Sequence, residues 1–163
     1  MSFVSDSLSQ VVQRVLLVVL RVYLGTVVLV AGWGKLSGEG EFASRLVGMA
    51  ERNIANGSTH GFYQGFLEGV VVPNAGLFAA LVIMGEVLGG LALITGTATR
   101  LAAGGTAFMM LNFMFLKGRW FWMGSSNDAA FFFIALIVML GAAGRAFGVD
   151  YYLAKRWPAV KLW

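Results

Sequence analysis

The chain has 163 residues, of which 58% are hydrophobic and only 12% are charged, with a net charge of +4. A soluble domain normally carries about a quarter charged residues, so this composition excludes an ordinary water-soluble domain. The lack of cysteine excludes disulfides, thiolate chemistry and cysteine-held zinc or iron–sulfur sites. We read the positive charge as loop charge that orients a membrane protein rather than as a nucleic-acid surface, and we predict one membrane domain over residues 1–163.

Four apolar segments approach the roughly 20 residues that a helix needs to cross a bilayer. They predict an all-α, polytopic membrane four-helix bundle with spans at about residues 12–35, 74–96, 100–117 and 127–147. The third and fourth apolar runs are short, and aromatic and polar flanks extend them into the interface. The turn between the second and third spans is short, so those two spans should form an antiparallel hairpin.

The loop over residues 37–73 has internal helical order. Phe42, Leu46 and Met49 fall at helical spacing among charged residues, which predicts an amphipathic helix lying on the outer surface of the bilayer. The tail over residues 148–163 is predicted to be a cytoplasmic, interfacial anchor.

The distribution of Lys and Arg predicts the orientation. Cytoplasmic loops carry an excess of these residues, which favours a bacterial cytoplasmic membrane protein with both termini in the cytoplasm. The residues on the predicted cytoplasmic side are Arg14, Arg100, Arg145, Lys155, Arg156 and Lys161, and those on the other side are Lys35, Arg45, Arg52, Lys117 and Arg119.

The apolar segments of the first two spans, residues 15–33 and 75–94, each contain one charged residue, Arg21 and Glu86 respectively. Charges in a bilayer are costly and need a partner or a purpose, so we expect Arg21 and Glu86 to form an ion pair or a shared polar network. Glu86 is the candidate catalytic residue, as a proton-accepting or quinone-binding carboxylate, or else it forms an ion pair that fixes helix packing. Asn112, in the third span, would either hydrogen bond a quinone carbonyl or tie two helices together.

Small residues and interfacial aromatic residues complete the candidate residues. Glycines let helices approach closely, and the expected packing positions are Gly25, Gly32, Gly85, Gly89 and Gly90. The loop before the fourth span predicts either an aromatic membrane belt or a docking surface, with Trp120, Trp122, Asn127 and Asp128 as its candidate interface residues.

No motif indicates a metal or nucleotide site. His60 is the only histidine, its loop position predicts a surface residue, and no nucleotide-binding motif is present. We therefore expect no metal and no nucleotide.

Three stretches resemble a known family. LRVYLGTVVLVAGWGKL and GEVLGGLALITGTATRLAA resemble the DoxX/DoxD family of four-helix membrane proteins, and the stretch from Asn112 to Asp150 resembles its DoxD-type members. The positions that match the family pattern are Lys35, Glu86, Gly89, Gly90 and Arg100. The resemblance implies a membrane subunit like that of thiosulfate:quinone oxidoreductase, or a component of a redox or thiol-stress complex. Because the chain lacks cysteine, any sulfur chemistry would use another subunit.

Two functions stay open, and whether the chain is itself an enzyme is undecided. The first is a membrane subunit of a quinone-linked redox complex, without its own redox metal, that binds a quinone near Arg21, Glu86 and Asn112. The alternative is a non-catalytic accessory or scaffold subunit of a larger respiratory or photosynthetic complex, docking protein, lipid or pigment. Both predict bound lipid, and as partners either other membrane-complex subunits or further copies of this chain; pigment belongs to the second alone. A transporter is less favoured because no inverted repeat is evident.

Overall fold

The computed structural model describes residues 2–38, 40–123 and 127–160, with the side chains of residues 2–7 outside the description. The described residues form seven α-helices and no β-strand, so the protein is all-α as predicted. A π-helical turn, Leu67–Val71, continues α3, and a short 3-10 turn, Ala143–Arg145, follows α6. The α-helices are α1 (Ser2–Leu36), α2 (Glu41–Ala55), α3 (Gly61–Phe66), α4 (Ala75–Thr95), α5 (Thr99–Leu116), α6 (Asn127–Leu140) and α7 (Asp150–Arg156).

Four helices, α1, α4, α5 and α6, are arranged as two closely packed pairs. α1 lies antiparallel along α4, α5 packs along α6, and the contact between α4 and α5 is much less extensive. The core between the pairs uses many small side chains, which let the helices approach closely. Its buried members are Leu24, Val28, Leu93, Ala103, Ala107, Ala135, Val138 and Ala143.

Within the part of the chain that the structure describes, two helices are long and apolar enough to cross a membrane, Leu8–Leu36 and Ala75–Thr95. Only 28% and 22% of their most apolar windows are buried inside the protein, whereas the core helix of a soluble protein would be mostly covered. These helices therefore present apolar faces outward, as lipid-facing helices do, and the protein is a helical membrane protein. That α5 and α6 also cross stays a prediction.

The helix bounds match the predicted second and third spans closely, but the fourth span differs. α6 ends at Leu140 rather than near residue 147, because the chain enters a left-handed conformation at Ala142, φ 47°. Its 14 residues extend about 21 Å at 1.5 Å per residue, less than the roughly 30 Å of a bilayer core. The shortened end is where Arg21 binds backbone carbonyls, as described below.

The segment between α1 and α4 forms a helical cap, defined here as residues 41–71. The predicted helix is present as α2, and its residues Phe42, Leu46 and Ala50 are buried inside the protein. That it lies at the outer surface of the bilayer stays a prediction. Thr59 Oγ1 donates to the Leu116 carbonyl at 3.0 Å, which ties the cap to the end of α5. A second apolar core lies between the cap and the end of α5, and its buried members are Leu46, Ala50, Leu67, Val71 and Leu116.

The predicted tail begins close to the turn between α4 and α5. Val149 N–H donates to the Thr95 carbonyl at 3.2 Å, and Asp150 N–H donates to the Gly96 carbonyl at 2.8 Å. α7 follows. Residues 161–163 of the predicted tail lie outside the described residues.

Candidate functional site

The shorter and more buried of the two ion pairs described in the structure joins Lys35 to Glu86. The Lys35 Nζ lies 2.6 Å from one carboxylate oxygen and 2.5 Å from the other. The Glu86 side chain is 3% exposed and that of Lys35 is 22% exposed. The ammonium also lies 5.3 Å from the centre of the Phe42 ring, so the pair connects α1, α4 and the cap.

Glycines set the close approach of α1 and α4 that brings this pair together. A Cβ on Gly32 would lie 2.7 Å from Glu86 Cβ, and one on Gly90 would lie 2.7 Å from the backbone nitrogen of Leu29. A Cβ on Gly25 would lie 2.9 Å from the backbone nitrogen of Ile94. Real Cβ atoms do not approach backbone so closely, so these glycines fix the distance between the helices.

The pairing of Glu86 with Arg21 that we expected from the sequence is wrong. In the antiparallel register, Glu86 lies opposite Gly32, which is 11 positions beyond Arg21, or about 16 Å along the helix. Arg21 lies opposite the other end of α4, beside Gly96. The expected network fails because both side chains were assigned to a similar depth without knowledge of the register.

Arg21 is instead a buried clamp on the end of α6. Its Nη1 donates to the carbonyls of Ala143 at 2.8 Å and Ala146 at 3.1 Å, and its Nη2 donates to that of Phe147 at 3.3 Å. These carbonyls lie beyond α6, in and after the short 3-10 turn, where buried backbone groups need hydrogen-bond partners. Arg21 therefore holds the irregular segment after α6 against α1.

Asp150 is a second buried charge at this end, and sequence reasoning missed it. Its carboxylate accepts the N–H groups of Ala98 at 2.6 Å and Thr99 at 2.8 Å, so it caps α5 from across the fold. The N-cap residue of α5 is Ala98, which has no acceptor side chain of its own. That missing cap is the available signal, but nothing in the sequence identifies Asp150 as its replacement.

A groove of about 590 Å³ runs between α4 and α5 and ends under the cap. Gly85, Gly89 and Gly105 open space along it, and Met109 and Thr106 lie across from the α4 glycines. Several lining side chains, among them Leu81, Leu88, Leu101 and Phe108, are also exposed on the outer surface, so the groove opens sideways. Its walls are apolar along almost their full length. Glu86, Lys35 and Arg21 do not line it.

The groove has one polar end. The Tyr63 hydroxyl donates to Asn112 Oδ1 at 2.6 Å, and Asn112 Nδ2 donates to the Phe108 carbonyl at 2.7 Å. Asn112 thus ties α3 to α5, while both it and Tyr63 line the groove. Burial raises the pKa of the Tyr63 phenol to about 12, so the hydroxyl remains a donor throughout the physiological range.

The predicted interface residues surround the loop that follows α5. Trp120 and Trp122 stack with ring centres 5.4 Å apart, and Trp122 is 76% exposed. Asp128 forms an ion pair with Lys117 at 2.7 Å, and Asn127 is the first residue of α6.

His60 is more enclosed than its predicted surface position implies. Its ring centre lies 4.3 Å from that of Trp120, and its Nε2 lies 3.3 Å from the Arg119 carbonyl oxygen. Nowhere in the described ranges do three His, Asp or Glu residues come together as a metal site.

These features fall within a recognisable sequence family. The profile of the DoxX family matches residues 16–119, which is more than half of the chain. The chain belongs to the DoxX family. The matched range contains the Lys35–Glu86 pair, the cap, and both walls of the groove, and it stops before α6. No solved structure matches the chain.

The fold brings together some of the positions that carry the DoxX resemblance and separates others. Lys35, Glu86 and Gly90 lie along the contact of α1 with α4, and Gly89 lines the groove. Arg100 lies in the first turn of α5, at the opposite end. The family positions therefore describe a framework as much as a single site.

Proposed function

We propose that this DoxX protein is a membrane subunit of a quinone-linked redox complex and that it holds a prenylated quinone in the groove between α4 and α5. The observation that carries the proposal is an apolar groove, open to the side, with a single hydrogen-bonding end formed by Tyr63 and Asn112. Membership in the DoxX family supports the membrane setting. The DoxD-like third stretch favours thiosulfate oxidation as the source of electrons, through a partner subunit.

The shape and chemistry of the groove fit such a ligand. Binding sites for small molecules are usually 300–1,000 Å³, mostly apolar, with a few placed polar groups, and the groove measures about 590 Å³. A prenyl tail would lie against Leu81, Leu88 and Leu101 and leave through the open side. The head group would lie at the end under the cap.

The polar end keeps a spare donor. A side-chain amide nitrogen carries two hydrogens, and Asn112 uses one on the Phe108 carbonyl. The second can donate to a quinone carbonyl without breaking either existing bond, while Tyr63 holds the amide oxygen and so fixes the orientation of the group. Asn112 would bind the quinone carbonyl, and Tyr63 would position the amide of Asn112.

Glu86 has no direct role at this location. Its carboxylate is engaged by Lys35 on the α1 side of α4, whereas Gly85 and Gly89 line the groove. A bound quinone would supply redox chemistry involving two electrons and two protons. This chain would contribute binding, orientation and an apolar surround, and a partner would deliver the electrons.

The test is binding of decylubiquinone to purified protein in detergent, followed by quenching of tryptophan fluorescence. We expect Asn112→Leu to weaken binding by roughly 2- to 10-fold, the worth of one hydrogen bond. Gly89→Leu should abolish saturable binding, because a Cβ at Gly89 meets nothing closer than Thr106 Oγ1 at 3.9 Å and the larger side chain therefore fills the groove.

Gly76→Leu is the matched control, since Gly76 is on the same helix, has open space around it and does not line the groove. It should bind like the wild type. Equal affinity in the Gly76→Leu and Gly89→Leu variants, or no saturable binding by the wild type, would refute the proposal.

A second function, an accessory subunit that docks a larger complex, is favoured by the aromatic surface around the cap. Phe62 is 66% exposed and Trp122 is 76% exposed, and aromatic side chains are enriched at protein interfaces. The same groups are typical of a membrane interface. Isolation of the protein in mild detergent decides between the functions. The accessory role would be favoured if a redox or pigment protein co-purifies in stoichiometric amount with the wild type but not with Trp122→Ser, and if no quinone is bound.

The proposed topology places both termini in the cytoplasm and the cap outside. Because the chain has no cysteine, single-cysteine variants report their own location. We expect Ser9→Cys and Ala159→Cys to resist an impermeant thiol reagent in intact cells, and Asn56→Cys to react. The reverse labelling pattern would show that the termini lie outside and the cap lies in the cytoplasm.

A further inference from the structure

Aromatic side chains surround the polar end of the groove between α4 and α5. The rings of Tyr63 and Phe66, both on α3, lie with their centres 5.3 Å apart, and the Phe66 ring packs edge-on against that of Phe78, on α4, at 6.0 Å. Phe113, which follows Asn112 on α5, also lines the groove. Each of α3, α4 and α5 therefore contributes aromatic side chains to the end where the quinone head group is proposed to lie.

Few polar side chains accompany these rings. Among the described residues that line the groove, Tyr63, Asn112 and Thr106 carry a side-chain nitrogen or oxygen atom. The Thr106 hydroxyl donates to the Ala102 carbonyl at 2.9 Å, and the Tyr63 hydroxyl donates to Asn112 at 2.6 Å. In this lining, the second N–H of the Asn112 amide is thus the side-chain donor that remains for a ligand.

Such surroundings discriminate between two classes of quinone ring. A methoxy-substituted benzoquinone carries ether oxygens beside its carbonyls, and these would lose water among aromatic walls without gaining a hydrogen bond, which costs free energy. A naphthoquinone carries a fused benzene ring instead. That ring is apolar, and it can pack against other rings in the offset or edge-on arrangements that stabilise aromatic pairs. The aromatic end of the groove therefore fits the fused ring better.

We propose that the groove selects a naphthoquinone over a methoxy-substituted benzoquinone, with one carbonyl bound by Asn112 and the fused ring among the aromatic side chains. Phe66, Phe78 and Phe113 are then the residues that determine specificity, whereas Asn112 serves both classes of quinone equally. This inference rests on the proposed quinone function and specifies the class of quinone that the site takes.

The test compares menaquinone-1 with ubiquinone-1, a naphthoquinone and a dimethoxybenzoquinone that carry the same single prenyl unit. Binding to the purified protein in detergent is followed by quenching of tryptophan fluorescence. The signal of Gly89→Leu, in which the groove is filled, is subtracted for each quinone, because it measures partition into the micelle alone. The wild type should bind menaquinone-1 roughly 3- to 10-fold more tightly than ubiquinone-1.

The variants assign this preference to particular side chains. Phe66→Leu and Phe113→Leu should each reduce it to about twofold or less, because leucine keeps an apolar surface but cannot pack as a ring. Their binding of ubiquinone-1 should hardly change, which also shows that they are folded. Asn112→Leu should weaken both quinones by the same factor and so keep the preference. The matched control is Phe133→Leu, since Phe133 is 49% exposed on α6 and does not line the groove.

The outcomes separate this inference from the function on which it rests. Equal or tighter binding of ubiquinone-1 by the wild type would overturn the selectivity and leave the quinone function in place. Saturable binding of neither quinone would refute the quinone function, and the selectivity with it. A preference that persists in both Phe66→Leu and Phe113→Leu, as it should in Phe133→Leu, would show that the aromatic rings do not determine specificity.

Discussion

Lys35 and Glu86 provide the sharpest test of how this bundle is held together. The perturbation is a double-mutant cycle of Lys35→Met, Glu86→Gln and both together. A second cycle, Lys117→Met with Asp128→Asn, is the matched control, because that pair has a similar distance of 2.7 Å but side-chain exposures of 41% and 15% against 22% and 3%. The two cycles therefore differ mainly in burial.

The structure gives the expected magnitudes. Lys35→Met leaves a buried carboxylate without its partner, which costs about 3–5 kcal/mol. Glu86→Gln should cost less, because the partly exposed ammonium of Lys35 can extend toward water. The coupling energy of the buried pair should reach about 1–3 kcal/mol, whereas that of the exposed pair should stay below about 1 kcal/mol.

The assay is unfolding in mixed micelles with increasing sodium dodecyl sulfate, followed by tryptophan fluorescence. The expected order of destabilisation is Lys35→Met, then Glu86→Gln, with the double variant milder than the sum of the two. A coupling energy no larger than that of Lys117 with Asp128 would refute the reasoning. It would show that the ion pair is not a main link between α1 and α4.

Other predictions use the same unfolding assay. Gly90→Ala should destabilise the protein by more than about 2 kcal/mol, because the added Cβ would collide with backbone and push α1 away from α4. Gly105→Ala should be neutral or stabilising, because nothing lies within 4 Å of the added Cβ. Similar changes in the two variants would contradict the packing argument. Asp150→Ala should cost about 1–3 kcal/mol through two lost cap bonds, and unchanged stability would mean that water replaces the carboxylate. Gly118→Ala should loosen the cap, because its φ is +61° and its Cβ would collide with the Ser58 backbone; hydrogen exchange of α3 should rise, and protection equal to the wild type would count against this contact.

The main helices could be predicted from the sequence because a helix surrounded by lipid must be apolar along most of its length. Long apolar runs predicted the ends of α4 and α5 to within about a residue, and the helical spacing of Phe42 and Leu46 predicted α2. The fourth span was predicted to be longer than α6 because apolar residues continue past Ala142. The backbone leaves the helix there, and Arg21 of α1 binds the carbonyls that follow. Apolar character alone does not record such a turn.

The candidate site was harder to predict because it depends on the register of helices that are far apart in sequence. A depth estimate put Arg21 level with Glu86, although the glycine contacts between α1 and α4 place Gly32 there instead. Lys35 belonged to the family pattern but was assigned to the outer loop side, so its partner was missed. Asp150 could not be found by local reasoning, since it caps a helix 51 positions away.

The buried charges and the proposed ligand site have different roles: the charges hold helices together, and the site binds a ligand. A charge inside a bilayer is a functional candidate by default, yet Lys35 engages both carboxylate oxygens of Glu86, and Arg21 donates to three backbone carbonyls. Both groups are therefore better explained as links between α1 and its neighbours. Binding needs a polar group with a spare donor beside open apolar space, and Asn112 has both. In this bundle, therefore, Arg21 and Glu86 mark the contacts that hold the helices together. The neutral amide of Asn112, beside the groove, is the better guide to the proposed quinone site.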